Sequence, residues 1–488
     1  MVTYRAQMFR IVGLVVVPFL LYAAMKGGAG NNRLLAIEPM VCRIEIRDAE
    51  NQWPVPLVEL RTIHQVRFVS DNAGVIAFNL RECFDREMFF FVSGHGYEVA
   101  ADGFGIRGVR LTPRSGGRLV VELKRTNVAK RLGRLTGSGL FAECQQCGER
   151  SEWKESPLFG CDSVQMTLFR GRSFWSWGDT QFAHYPLGNF DMSGATTEGS
   201  PIGQPVPPIL PNYKYFLNAA GRTKAMAPIA GKGPTWLTGY ASLSDADGRE
   251  HLVALYRKIK PPLATYEIGL CQWSEDEEQF VPLSKIWSHS EQSAKEPGLL
   301  PDGHTFMWRD DQDQAWLMVG NPFPKFRCRA TFEAWSDPNQ WQPMKAPLKL
   351  IDAETRREIE PHSGSMAWNE YRRCWVTVFM ERFGRPSAFG ELWYAESDHP
   401  GGPWRPAVKV LTHDNYTFYN PRLWSEFAQD SPTLLFEGTY TEQFAKAPTA
   451  TPRYDYNQIL YRLDLDDPKL GPTRLSPTDN CLERVNHE

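Results

Sequence analysis

At 488 residues the chain is too long for one ordinary domain, and length alone predicts roughly three units of about 150 residues. Its 54 basic and 57 acidic residues leave a formal net charge of −3, which argues against a nucleic-acid binder with a basic face and favours a neutral or small polar ligand. Aromatic residues make up 12% of the chain, with 16 Trp, enough for flat stacking surfaces as well as core packing.

Residues 1–30 read as an export signal. Arg5 and Arg10 precede an apolar run, Ile11 to Met25, and the small-residue segment GGAG follows. The run is about fifteen residues, short of the ~20 a membrane-spanning helix needs, so a cleaved signal is expected ahead of an uncleaved N-terminal anchor. Such an anchor is the only membrane contact expected, and the mature protein should lie outside the cytoplasm.

Residues 37–126 alternate apolar and polar side chains in short runs: CRIEIRD, VPLVELRT, QVRFVSD, GVIAFNL, REMFFFVSGHGY and GRLVVELKR. Turn residues separate them, the pattern of a small antiparallel β-sandwich. The succession PVPLVELRT, VSDNAGVIAFN, FFFVSGHGY, VELKR resembles transthyretin-like or carboxypeptidase-regulatory-like modules, which implies an accessory role without catalytic residues. His95 reads as a strand-end residue, and the module as dispensable for chemistry.

Nine cysteines are thinly spread, so no disulfide-built scaffold is implied. Cys42 and Cys83 fall in the small module and can pair after export. Cys144-Gln-Gln-Cys147 has zinc-ligand spacing and Cys161 follows. No second such pair completes a tetrahedral set. A local disulfide or inert thiols are expected, and neither a metal nor another cofactor. Residues 127–159 read as a connector with a short helix near Val128 to Leu135.

From residue 160 to about 478, five strand–turn–strand units recur, with second strands beginning near Ser173, His251, Ala315, Cys374 and Thr433. The later steps are about sixty residues each. Ser274, Ser336 and Ser397 repeat independently at the same spacing, each expected between two outer strands. Four strands per unit, five times over, predict a five-bladed β-propeller. The fold class is therefore all-β, a small antiparallel sandwich followed by that propeller, with QILYRLDLDD closing the ring. The first step is longer, and its Gly/Pro-rich stretch from Ala183 to Pro234 is expected as a loop over one face.

In the first hairpin, GCDSVQMTLFRGRSFWSWGDT, the turn at Arg170-Gly171 puts Asp162 opposite Asp179. Directly opposed residues have Cβ atoms only ~5 Å apart, so the two acids can cooperate. Equivalent hairpin ends in the later blades carry His304 and Asn321, His362 and Glu381, and Asn420 and Glu437. Trp177 is a possible stacking platform, and His184 and Tyr419 complete the candidate ligand-contacting set.

"LFRGRSFWSWGDT" preceded by Gly-x-Asp-Ser, together with "GELWYAESDHPGGPW", resembles five-bladed propeller glycoside hydrolases, closest to the secreted endo-D-arabinanase-like enzymes. Their first blade pairs an early Asp with the Asp of a Gly-Asp-Thr motif. The resemblance implies Asp162 and Asp179 as the catalytic pair and a carbohydrate substrate; Glu437 and Glu381, from the equivalent hairpin ends, stand as substitutes. Two other readings stay open: a non-catalytic carbohydrate-binding or surface-assembly propeller, and a polysaccharide lyase using His304, His362 or Tyr419 as base.

Overall fold

The computed structural model describes residues 41–474 except 155, 184, 190, 348, 428, 429 and 448, and gives only the backbone at 185–189. The export-signal segment and His184 therefore lie outside the described residues. No helix among the described residues is long and apolar enough to cross a membrane.

The small module is two facing four-stranded sheets. In Cys42–Asp48 the side chains alternate buried and half-buried, so Cys42, Ile44 and Ile46 enter a core with Leu60, Ile76, Phe78 and Phe90. Arg43, Glu45 and Arg47 face outward and pair with one another. Every pairing is antiparallel except Cys42–Asp48 with Arg118–Arg125, which run parallel. Cys42 and Cys83 are free thiols, so the expected bridge is absent, and Cys144 and Cys147 are free as well.

Five four-stranded antiparallel sheets follow. Their inner strands are Gln165–Phe169, Thr235–Ser244, His304–Arg309, Pro361–Asn369 and Thr417–Leu423. Each touches the next in chain order. The fifth returns to the first through Arg422 Nη2, which donates to the Met166 carbonyl at 2.9 Å, and Asn420 Nδ2, which donates to Ser163 Oγ at 2.7 Å. The chain thus forms a ring of five blades.

Three expectations about the blades are corrected. The strand Asn457–Asp464, expected to close the ring, is the third strand of blade five, and Lys130–Arg134 pairs with it as the fourth. Part of the expected connector is therefore an edge strand of the last blade. Tertiary pairing overrides the helix expected there, because the sandwich fixes this strand from its far side. Asn72 Oδ1 accepts from Arg134 N at 2.8 Å and Asn72 Nδ2 donates to Arg134 O at 2.9 Å. The buried guanidinium of Arg131 donates to the Pro56 carbonyl at 3.0 Å and to that of His95. His95 is correspondingly not a simple strand end: its ring packs on Tyr416, Tyr440 and His413 of the propeller.

Second, Phe332–Ser336 is a short helix, not a strand. Thr331 caps it by accepting from Ala334 N, and a Ser or Thr at this position satisfies an otherwise orphaned donor. Third, the stretch Ala183 to Pro234 supplies the outer half of blade one, Ser193–Thr197 and Lys214–Tyr215. Ile202 and Ile209 from it pack with Leu132, Trp175 and Trp177 between blades one and five. Only Met192 of its described side chains reaches the cavity at the channel mouth described below.

Candidate active site

The first hairpin sets the geometry. Arg170 and Gly171 sit at φ 49° and 75°, the left-handed pair of a two-residue turn whose twist matches its strands. From it the ladder runs Phe169↔Arg172 to Gln165↔Ser176 and resumes in the same register at Cys161↔Thr180. Between the two stretches, Asp162 N donates to Asp179 O at 3.1 Å and Gly178 N to Asp162 O at 2.8 Å. The acids are therefore opposed, as the turn dictates. A Cβ at Gly178 would lie 2.1 Å from Asp162 Oδ1, so a side chain there would displace that carboxylate.

The two carboxyls have unlike surroundings. Asp162 Oδ2 accepts from Tyr419 OH at 2.6 Å. Burial leaves its proton affinity above the ordinary carboxylate range on balance, although bonds from Tyr419, Tyr456, the Asp179 backbone and Ser163 pull against it. Asp179 Oδ1 is buried with no hydrogen-bond partner among the described residues. Burial, followed by the neighbouring Asp162 charge, pushes Asp179 up to about 7, against one bond from Trp236.

Both acids open onto a cavity of about 310 Å³ at the mouth of the channel, which His304, Asn321 and Asn420 also line. Burial, then Arg422, pushes His304 down to about 3, so its imidazole is neutral. Asn321 Oδ1 accepts from Gly364 N at 2.7 Å, which fixes the amide. Arg257, on the same wall, is tied to Glu296 at 2.6 Å and Asp302 at 3.5 Å. The channel's other end opens into a bowl of about 810 Å³ lined by Met307, Trp308, Trp368 and Glu426, and none of the expected site residues line it.

Five expected residues, Asp162, Asp179, His304, Asn321 and Asn420, thus share one cavity. Tyr419 stands behind Asp162, bonded to it rather than lining the cavity. Four others go elsewhere. Glu437 faces Arg422 across the hairpin, not Asn420. It is fully buried, with Trp424 Nε1 donating to Oε1 at 2.7 Å. Trp177 is wholly buried, stacked on Trp175 and edge-on to Tyr213. Glu381 lies in a different opening, held by Arg357 Nη2 at 2.8 Å and Trp393 Nε1 at 3.0 Å. His362 is exposed, packs beside Phe389, and does not line the cavity.

Trp236, Arg257, Asp302 and Tyr456 were missed. Trp236 pairs with Arg257 at the open end of the blade-two hairpin, so the hairpin-end rule applied to blade two finds both. Tyr456, which precedes a strand in a loop, carried no signal.

No protein-family model matches the chain, and no curated protein does. Among solved structures, an exo-1,5-α-L-arabinanase from a bovine ruminal metagenomic library is similar at 10% identity, covering 62% of this chain and 92% of its own, with a TM-score of 0.35. An arabinanase from Bacillus subtilis is similar at 9% identity over 62% of this chain and 96% of its own, TM-score 0.32. An endo-1,4-β-xylanase from Bacteroides thetaiotaomicron follows at 11%, 63% and 90%, TM-score 0.33. Likeness this distant assigns neither substrate nor residue roles, and the blade count rests on the strand topology itself.

Proposed function

We propose that this protein is a glycoside hydrolase of poly- or oligosaccharides working through Asp162 and Asp179. The observation that carries the reading is the opposed pair itself, two carboxyls on one small cavity with different hydrogen-bond partners. Asp179, with its proton affinity raised to about 7, is the general acid that protonates the leaving oxygen. Asp162, supplied with donors, is the anion that activates water or attacks the anomeric carbon. Neutral His304 and the amides of Asn321 and Asn420 offer hydrogen bonds to sugar hydroxyls without adding charge beside the acids.

The reading includes export, supported by the charged-then-apolar pattern of residues 1–30, which N-terminal sequencing of the mature protein tests. Reducing-end release across a panel of polysaccharides, with parallel monitoring for unsaturated products, tests the reaction class. Release abolished in Asp162→Asn supports hydrolysis by this pair. Unsaturated products would replace it with the lyase reading, and binding without turnover would replace it with a carbohydrate-binding propeller.

A further inference from the structure

Asp162 is carried by blade one, yet the side chains that hold its carboxylate come chiefly from blade five. Tyr419, on the inner strand of that blade, donates to Oδ2 at 2.6 Å. Tyr456, in the loop before the blade's third strand, faces the same carboxylate and is 2% exposed. The backbone is bent to achieve this. Tyr456, Ser163 and Asn420 all have positive φ, 59°, 49° and 49°, a left-handed conformation that is a genuine outlier for a residue as bulky as Tyr. Strain of this kind persists only where surrounding structure over-determines it, and it clusters at functional sites. Here it converges on one carboxylate. Asn420 Nδ2 binds Ser163 Oγ at 2.7 Å, and Ser163 N binds Thr439 Oγ1 at 3.0 Å, so blade five also grips the residue next to Asp162. Gly160 lies flat on the same loop, where a Cβ would come within 2.1 Å of the Tyr456 carbonyl.

We propose that Tyr419 and Tyr456 are positioning residues that hold Asp162 as the anion, so that blade five decides which member of the blade-one pair carries the proton. The inference deepens the hydrolase reading and rests on it for its catalytic meaning, but the protonation itself can be measured without any substrate. Hydrogen bonds donated to a carboxylate favour its charged form. Burial raises both phenols further above their ordinary range, so both remain donors. Ser163 and the Asp179 backbone bond Asp162 as well, and the titratable neighbours of the pair supply no such donors. Cys161 beside it is a buried thiol pushed up to about 12, and Asp191 faces Asp179 as a further acid. Asp179 receives one bond, from Trp236, and its Oδ1 receives none among the described residues. The proton therefore settles on Asp179.

The test is a pH titration of the carboxyl carbon of Asp162, followed by NMR in full-length protein labelled with 13C at aspartate, with Asp162→Asn to assign the resonance. A hydrogen bond to a charged group changes proton affinity roughly ten- to a hundredfold. Tyr419→Phe and Tyr456→Phe should each move the Asp162 midpoint upward by about one pH unit or more. The Asp179 midpoint should fall in step, because its neighbour then carries less charge. A role confined to packing predicts altered melting with both midpoints unmoved, and that result in either folded variant would overturn the proposal. Should neither variant fold, 3-fluorotyrosine at position 419 keeps the ring nearly its size and makes the phenol a stronger donor. It should move the Asp162 midpoint downward, and no movement again counts against the proposal. Failure to hydrolyse any glycan would sink the hydrolase reading while leaving this titration intact.

Discussion

Blade one and blade five are built from the same hairpin and use it in opposite ways. In blade one a two-residue turn transmits one register from Phe169↔Arg172 to Cys161↔Thr180, and both acids emerge at the cavity. In blade five the register shifts between Tyr419 and Arg422, and the acid at the matching place, Glu437, turns into the packing against blade one. Side chains alternate faces along a strand, so a bulge re-aims everything beyond it. The blades differ in completeness too, since blade five borrows its outer strand from residues that precede blade one. Position in a repeat thus says where a backbone goes, and the local register says what its side chain meets.

The sharpest way to break the contrast is to take away the borrowed strand. A chain beginning at Gly137 lacks Lys130–Arg134 and should fail to give a folded, soluble protein, because it exposes the unpaired edge of Asn457–Asp464. A cooperative melt from that truncation would show blade five to be self-sufficient. The small module bears on the fold here, since its Asn72 and its Pro56 and His95 carbonyls hold that strand.

Next in size are the acids of blade one. Asp162→Asn and Asp179→Asn should each lower turnover by ~100- to 10,000-fold, the usual worth of a general acid or base, with melting temperature little changed. Near-normal turnover in the folded double variant would end the assignment. The pH profile sharpens it: an acid raised to about 7 must keep its proton to act, so turnover should fall about tenfold per unit above that value. A profile flat to pH 9 would exclude Asp179 as the acid.

Glu437 gives the smallest and most diagnostic effect. Burial pushes it from 4.5 up to about 7, so the folded state holds this proton more tightly than the unfolded chain does. Its contribution to stability is fully present below about 4.5 and is lost as pH rises through about 7. Glu437→Gln, uncharged at every pH, should match wild type near pH 4.5 and exceed it above pH 7, by at most about 3 kcal/mol. Turnover should change only slightly, and a loss comparable to that of Asp162→Asn would return Glu437 to the catalytic set.

What the sequence determined by itself was local. Alternating apolar runs specified strands, the Arg170-Gly171 turn specified the register that opposes Asp162 and Asp179, and the spacing near sixty residues specified repeated four-stranded blades. Each of these depends on residues close along the chain, where covalent geometry limits the outcomes. The tertiary structure decided what depends on distant partners. Lys130–Arg134 is a strand because Asn457–Asp464 offers it an edge, not because KRLGR prefers to be one. Trp177 is core and not a sugar platform because blade five and Tyr213 cover it. Glu381 points away from the cavity because Arg357 and Trp393 hold it. Asp162 and Asp179 were legible as a pair, but their difference was not: it comes from two tyrosines at least 257 residues away in the chain, brought to one carboxylate only when the ring closes.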